Sequence, residues 1–220
     1  NAPVCAPARS TIITGMYPPG LGTQHMRSTN QVPDFIRLYP GYLRDAGYYC
    51  TNNRKKDYNL VEKTDEWNES SGEAHYKNRA PGQPFFAVFN FTVCHESCIH
   101  KTMEKLVHDP AAMEIPPYHP DVPEIRHDWA QFYDKITMMD TLVGNILTEL
   151  EESGLADSTI IIFYGDHGGI IGRSKRFMYQ TGLRVPMIVR VPDLYKHLAP
   201  GAKGSHIQRL VSFIDLAPTL

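Results

Sequence analysis

Three short apolar runs constrain the fold of this chain more than any other feature of its sequence. Residues 85–93, 159–164 and 185–191 are short apolar runs, rich in aromatic and β-branched side chains. Each of them therefore predicts a buried β-strand. Pro186 belongs at the start of the third strand or on a sheet edge, because proline has no amide hydrogen to donate to a neighbouring strand.

A long helix is predicted between the first two strands, over about residues 124–152. Large apolar residues recur there at helical spacing, and Gly154 supplies the stop. We interpret this apolar stripe as a face that packs in the core. Its members are Trp129, Phe132, Tyr133, Ile136, Met139, Val143, Ile146, Leu147 and Leu150.

Shorter elements complete the outline of the fold. Residues 40–47 suggest a short helix with Gly47 as its cap, which leads into a strand at 48–51. Residues 61–84 and 101–123 are rich in proline and polar residues and predict loops that could wall a cleft. The alternation of strands and helices predicts an α/β fold, with a largely parallel sheet sandwiched by helices. In such sheets the active site lies at the carboxyl ends of the strands.

The composition is that of an ordinary globular domain and argues against two classes of partner. Hydrophobic residues make up 42% and charged residues 21% of the 220 residues. The net charge of −2 gives no global basic field, so we expect no nucleic-acid partner. No run of roughly 18 apolar residues is present, so we expect no membrane span. The sequence shows neither an initiator Met nor a signal peptide, and we expect that it is cut at both ends.

The residues that carry chemistry begin with a cysteine near the start of the chain. Residues 5–10 read Cys-Ala-Pro-Ala-Arg-Ser and are followed by Thr14 and Gly15. This pattern resembles the signature of the type I sulfatases of the alkaline phosphatase superfamily, Cys-x-Pro-x-Arg with a trailing Thr-Gly. In that family a formylglycine-generating enzyme oxidises the cysteine to formylglycine, so the resemblance implies that Cys5 is converted. One hydroxyl of the hydrated aldehyde would attack sulfur, and the other would then expel sulfate. Arg9 would hold this hydrate at a helix start that itself favours an anion.

Further stretches resemble the same family in the expected order. Lys55 matches a sulfate-binding lysine, and Asp57 stands where the family more often has histidine, as in a branch with Lys-x-Asp-Tyr-Asn. His95, at the end of the 85–93 strand, matches a histidine that contacts sulfate and helps to protonate the leaving oxygen. Glu96 would orient His95 or reach a sugar hydroxyl.

The remaining matches follow the strand at 159–164. Asp166 would be a ligand of Ca²⁺ or a similar dication, with His167 beside it, because hard dications take carboxylate oxygens. Lys175 matches a second lysine, and we expect Lys55 and Lys175 to hold the same sulfate. Arg173, in the same stretch, and His25, in residues 22–28, are candidate substrate contacts.

The resemblance implies that residues 1–220 are part of a catalytic domain whose upstream metal aspartates and C-terminal region are missing. It also implies a sulfated carbohydrate substrate, as in polysaccharide or heparan-type sulfatases, and a location outside the cytoplasm. Whether the scissile group is an O-sulfate or an N-sulfate stays open. Two alternatives remain, namely a phosphoesterase or phosphonate hydrolase of the same superfamily and a degenerate, non-catalytic binder of sulfated glycans. A binder would be expected to have lost some of the matched residues.

Overall fold

A computed structural model describes residues 2–61 and 66–220 of the chain. Within these described residues, five strands form two sheets: β1 (Tyr49–Asn53), β2 (Glu69–Ser71), β3 (Phe85–Phe89), β4 (Ile161–Tyr164) and β5 (Met187–Arg190). The first three pair in parallel in the order β2-β1-β3, and β4 pairs with β5 in antiparallel fashion. The α-helices are α1 (Cys5–Thr14), α2 (Pro18–Leu21), α3 (Tyr39–Asp45), α4 (Pro123–Glu152), α5 (Gln180–Leu183) and α6 (Leu216–Thr219).

The predicted α/β class with a parallel sheet is confirmed, with two corrections. The strand predicted at 185–191 runs antiparallel to β4, because the connection between them contains only the four-residue α5 and no crossover helix. The segment predicted as a loop at 61–84 contains β2, which extends the parallel sheet beyond β1. Residues 62–65 of that predicted loop lie outside the described residues.

The alternation of side chains along β3 explains why helices pack on both faces of the parallel sheet. Phe86 and Val88 point to one face, where they meet Ile13 of α1 and Tyr39 of α3. The opposite face carries the other three residues of β3, which pack with Tyr76, Leu150 of α4, Ala156 and Ile161 of β4. A strand covered on both faces needs a nearly continuous apolar sequence, as β3 has.

The long helix α4 has the predicted bounds, but its apolar stripe is less buried than predicted. Among the stripe residues only Leu150 is fully buried, whereas Tyr133 and Ile136 are 44% and 36% exposed. The middle of the helix instead buries the polar residues Gln131 and Asp134. No helix among the described residues is both long enough and apolar enough to cross a membrane.

Gln131 and Asp134 attach the loop after residue 97 to α4. Gln131 donates to the carbonyls of Cys98 (2.6 Å) and Lys101 (2.8 Å) and accepts from the amide of Met103 (2.9 Å). The Asp134 carboxylate accepts from two backbone amides, those of residues 107 and 108, and from the His108 ring at 2.6 Å. Burial alone would raise the pKa of Asp134, but these hydrogen bonds lower it below its ordinary value, and the hydrogen bond with the His108 ring contributes most to the lowering. The loop therefore depends on an ionised carboxylate.

Replacing Asp134 by asparagine should destabilise the protein by about 1–3 kcal/mol near pH 7, because an amide NH₂ would then face a backbone N–H. The free energy of unfolding in urea measures the loss. A carboxyl with a lowered folded-state pKa stabilises above its unfolded-state pKa and loses that effect on acidification. The difference in the free energy of unfolding between the variant and the wild type should therefore narrow below about pH 4. Asp140→Asn, an exposed change on the same helix, should cause no measurable loss. Equal losses in both variants would contradict the role of Asp134.

Candidate active site

Cys5 is the first residue of α1 and is only 2% exposed. Pro7 lies in the first turn, where the backbone amides lack helical partners and a missing N–H costs nothing. Gly15 ends the helix at φ 67°, and its amide donates to the Thr11 carbonyl at 2.8 Å. A Cβ at Gly15 would lie 3.0 Å from the Cβ of Ala217 in α6, so a larger residue would be crowded there. The spacing from Cys5 to Gly15 thus corresponds to one complete buried helix.

The Cys5 thiol contacts His167, which follows β4. Cys5 Sγ lies 3.2 Å from His167 Nε2, and the other ring nitrogen, Nδ1, donates to the Gly168 carbonyl at 2.7 Å. Burial would raise the pKa of Cys5, but the hydrogen bond with His167 lowers it below its ordinary value. Burial would lower the pKa of His167, whereas the Cys5 hydrogen bond and the nearby Asp166 raise it. Both shifts favour a thiolate beside a protonated imidazole.

Cys5, Asp166 and His167 form the group of possible metal ligands among the described residues. Their donor atoms lie within 4.8 Å of one another, and Asp166 Oδ1 is 3.6 Å from His167 Nε2. Gly168 lets this turn pass close to α5, because a Cβ there would lie 1.8 Å from the Thr181 carbonyl oxygen. Of these three side chains, only the Asp166 carboxylate offers the oxygen atoms that a hard dication prefers. A calcium ion would therefore need further oxygen ligands.

Lys55 and Asp57 lie together in the turn after β1. Lys55 Nζ is 3.6 Å from Asp57 Oδ2, and the other carboxylate oxygen binds the guanidinium of Arg27. The Asp57 side chain is 12% exposed, and its backbone has a left-handed φ of 54°. Asp57 is therefore a carboxylate between a lysine and an arginine, an arrangement that we call the Asp57 cluster.

Arg9 lies one turn after Cys5 but directs its guanidinium towards the turn that carries Lys55. Its Nε donates to the Lys56 carbonyl at 2.8 Å, and its Nη2 donates to the Lys55 carbonyl. Its guanidinium also lies 5.8 Å from the centre of the Tyr58 ring. These contacts connect α1 to the turn that carries the Asp57 cluster.

Glu96 forms a second cluster of the same kind, the Glu96 cluster. Its carboxylate lies 2.8 Å from Lys175 Nζ and 2.8 Å from Arg176 Nη2. These contacts, with Arg176 contributing most, lower the pKa of Glu96 to about 2. Glu96 therefore forms ion pairs with these two cations, whereas the sequence suggested that it would orient His95 or reach a sugar hydroxyl. The Lys175 side chain is 3% exposed and is therefore buried beside Glu96.

His95 lies close to both clusters. Its Nδ1 accepts from the Ser97 amide at 3.4 Å and lies 3.0 Å from Ser97 Oγ, which places the proton of the neutral ring on Nε2. Burial lowers the pKa of His95, and the ammonium groups of Lys175 and Lys55 lower it further. Both lysines are thus close enough to act on one imidazole. An open cleft of about 470 Å³ is lined by Arg27, Lys55, Asp57, Thr92, His95 and Ser97.

Two of the predicted substrate contacts, His25 and Arg173, belong to neither cluster. His25 is exposed, and its carbonyl accepts from Asn59 Nδ2 at 2.7 Å. The Arg173 guanidinium lies 4.2 Å from the centre of the Tyr179 ring and 5.0 Å from that of Tyr118.

Neither arginine of the two clusters was predicted from the sequence as a site residue. Arg176 directly follows Lys175, and that adjacency was an available signal. Arg27 is distant from Asp57 in sequence and has a left-handed φ of 62°, a conformation that its residue type does not reveal. Sequence alone gave no signal for the contact between Arg27 and Asp57.

Similarity to known proteins extends over almost the whole chain. Residues 41–220 match the family model described as Sulfatase. An ulvan-active sulfatase of Formosa agariphila is 39% identical over 266 aligned residues, which cover 99% of this chain and 44% of that protein. The chain therefore spans less than half the length of this curated relative. The stretch from Cys5 to Gly15 precedes the matched range of the family model.

Two solved structures share the fold at 17% identity. A Bacteroides thetaiotaomicron protein described with the metabolism of multiple glycosaminoglycans has a TM-score of 0.70 and is matched over 99% of this chain and 60% of its own. A phosphonate monoester hydrolase from Silicibacter pomeroyi has a TM-score of 0.66, with 97% and 62% covered. At this identity the likeness concerns the fold alone.

Replacing Glu96 by glutamine should destabilise the protein by about 1–3 kcal/mol, because Lys175 would keep a buried charge without a carboxylate. The loss is smaller than for a fully buried pair, since Glu96 is 22% exposed. Because the folded-state pKa of Glu96 is lowered to about 2, the stabilisation that its carboxylate provides should persist from pH 7 to below pH 5. It should disappear only as the pH approaches 2. The free energy of unfolding in urea, measured for variant and wild type across this pH range, tests the prediction.

Asp45→Asn serves as the control, because it removes an exposed contact with Arg37 in which Asp45 is 67% exposed. That variant should show no measurable loss of stability. A Glu96→Gln variant as stable as the wild type at pH 7 would show that Lys175 does not depend on this carboxylate.

Proposed function

The chain belongs to the sulfatase family, and from this premise we propose that the protein hydrolyses sulfate groups on a carbohydrate with a formylglycine derived from Cys5. Residues 1–220 would then be part of one catalytic domain. A formylglycine-generating enzyme would be the maturation partner. We also propose that the protein acts outside the cytoplasm, as the family resemblance implies.

The observation that carries this proposal is the grouping of charged residues from five separate stretches. Cys5 interacts with His167, and its pKa responds to Asp166 and Lys55. The pKa of His95 responds to Lys175, Lys55 and Asp166. A sulfate ester needs fixed positive groups around its oxygens and a proton donor at its leaving oxygen. The two clusters and His95 can supply both.

The chain's own residues would share the work as follows. Formylglycine at position 5, once formed, would supply the hydroxyl nucleophile at the start of α1, where the helix dipole favours an anion. Lys55 and Lys175 would bind and orient the sulfate oxygens. In its protonated form, His95 would give the proton on Nε2 to the leaving oxygen and keep the one on Nδ1, which can be donated to Ser97 Oγ at 3.0 Å. Arg9 would keep Lys55 in place through the backbone of its turn.

Asp166 is the residue we propose as a ligand of Ca²⁺ or a similar dication, with His167 beside it. Such an ion would supply positive charge beside the nucleophile. The Asp166 carboxylate suits a hard cation, and its side chain is 26% exposed, which leaves access to it. Asp166 and His167 hold this position through the turn at Gly168.

The charge of the two clusters supports an anionic substrate group. Each cluster has two cations around one carboxylate and carries one net positive charge, so the two together carry two. Sulfate esters are monoanions, whereas phosphate monoesters are largely dianions at neutral pH. A phosphonate monoester is also a monoanion, so a phosphonate hydrolase fits these clusters equally well on charge. It is the second candidate function.

A carbohydrate is the substrate class we favour, because the curated relative of 39% identity is named as an ulvan-active sulfatase. Both an O-sulfate and an N-sulfate meet the charge requirement of the clusters.

The decisive experiment expresses the protein, as its gene encodes it, with and without a formylglycine-generating enzyme. Peptide mass spectrometry should show an aldehyde at Cys5 only with that enzyme. The modified protein should cleave a sulfate ester at least about 100-fold faster than the unmodified protein, which is its matched control because only residue 5 differs.

The substrate panel separates the alternatives. A sulfate, a phosphate and a phosphonate ester of the same alcohol are compared, and faster cleavage of the phosphonate would favour the second candidate. Binding of a sulfated glycan with no turnover, although the aldehyde at Cys5 is present, would indicate the non-catalytic binder and contradict the proposal.

A further inference from the structure

Arg27 and Asp57 stand at the boundary between two cavities. The first is the open cleft that also holds Lys55 and His95. The second has a volume of about 310 Å³ and lies on the other side of this pair. Among the described residues, Arg27 and Asp57 are the two that line both cavities. A ligand that extends from one cavity into the other would pass this pair.

The segment that carries Arg27 is fixed to the turn that carries Asp57. Asn59 Nδ2 donates to the carbonyls of Thr23 (2.8 Å) and His25 (2.7 Å). The Asn30 amide donates to the Asn59 carbonyl at 3.0 Å, and residues 30 and 60 form a parallel bridge. Arg27 and Asp57 both have left-handed backbone conformations, with φ of 62° and 54°. Such conformations persist only where the surroundings hold them, and they concentrate at functional sites.

The exposure of Arg27 contrasts with that of its partner. The Arg27 side chain is 68% exposed, whereas that of Asp57 is 12% exposed. Nη1 of Arg27 binds Asp57, and the rest of the planar guanidinium offers further N–H donors to the cavities. This fork matches the two oxygens of a carboxylate or a sulfate better than a lysine would.

We propose that Arg27 forms a second anion subsite, which binds a carboxylate or a second sulfate on the sugar next to the one whose sulfate is cleaved. The inference rests on the proposed function, because it takes the Lys55 and His95 cleft as the place of the scissile sulfate. Arg27 would then determine specificity rather than take part in the chemical step.

The second cavity has the lining that a sugar ring requires. Its lining includes the buried apolar residues Val32, Leu38 and Trp67 and the polar side chains of Ser28 and Thr29. An apolar surface suits the carbon face of a sugar, and the polar side chains suit its hydroxyls. A sugar ring in this cavity would have its anionic group beside Arg27.

Three disaccharides with the same scissile sulfate test the subsite: one with a neutral neighbouring sugar, one with a carboxylate on that sugar, and one with a second sulfate there. Arg27→Ala should lower kcat/KM by about 10- to 100-fold for the anionic disaccharide that the subsite accepts. For the neutral disaccharide the loss should be at least about threefold smaller, because only the change in the Asp57 cluster contributes to it. The two anionic disaccharides show which group is recognised. Arg37→Ala, which removes another arginine paired with an aspartate, should change none of the three.

Binding measurements decide the subsite even without turnover. In a Cys5→Ala background, calorimetry compares the affinity of Arg27→Ala and Arg27 proteins for the same three disaccharides. A loss of affinity that is larger for an anionic disaccharide than for the neutral one supports the subsite. If turnover is absent although formylglycine is present, only the proposed function fails. An equal loss for all three disaccharides, or no loss for any, overturns the subsite.

Discussion

A carboxylate paired with a lysine and an arginine occurs twice in the candidate site, and one of the two lysines, Lys175, is buried against its carboxylate. Lys175 is 3% exposed, and a buried charge without a partner is costly, so Glu96 at 2.8 Å is a requirement rather than an addition. Asp57 has the same position between Lys55 and Arg27. Each carboxylate also cancels one of two positive charges. The two clusters together therefore keep two of their four positive charges, which suits an anionic substrate group.

Two helices of different character hold the loops that carry these clusters. The buried helix α1 binds the backbone of the turn at Lys55 through Arg9, and it also carries Cys5 at its first position. The largely exposed helix α4 binds the loop after Glu96 through Gln131 and Asp134. Buried polar groups thus fix irregular segments that have few apolar contacts of their own. This explains how residues distant in sequence reach one place.

The sequence predicted the regular elements well because their determinants are local. Apolar runs predicted β3 and β4, helical spacing predicted α4, and the cysteine pattern placed Cys5 at a helix start. The direction of β5 and the burial of Lys175 could not be predicted, because both depend on how a long connection folds back. The pairing of Arg27 with Asp57 depends on two left-handed residues, which sequence does not reveal in non-glycine positions.

The central claim is that Lys55 and Lys175 act on one anion although they belong to separate clusters. A double-mutant cycle tests it most directly, with kcat/KM for a sulfate ester measured for Lys55→Ala, Lys175→Ala and the double variant. If both lysines hold the same sulfate, loss of one leaves the anion misplaced. The remaining lysine then contributes less to kcat/KM. The double variant should then retain at least about fivefold more activity than the product of the single losses predicts. Losses that multiply would show that the two lysines act independently and would contradict the account.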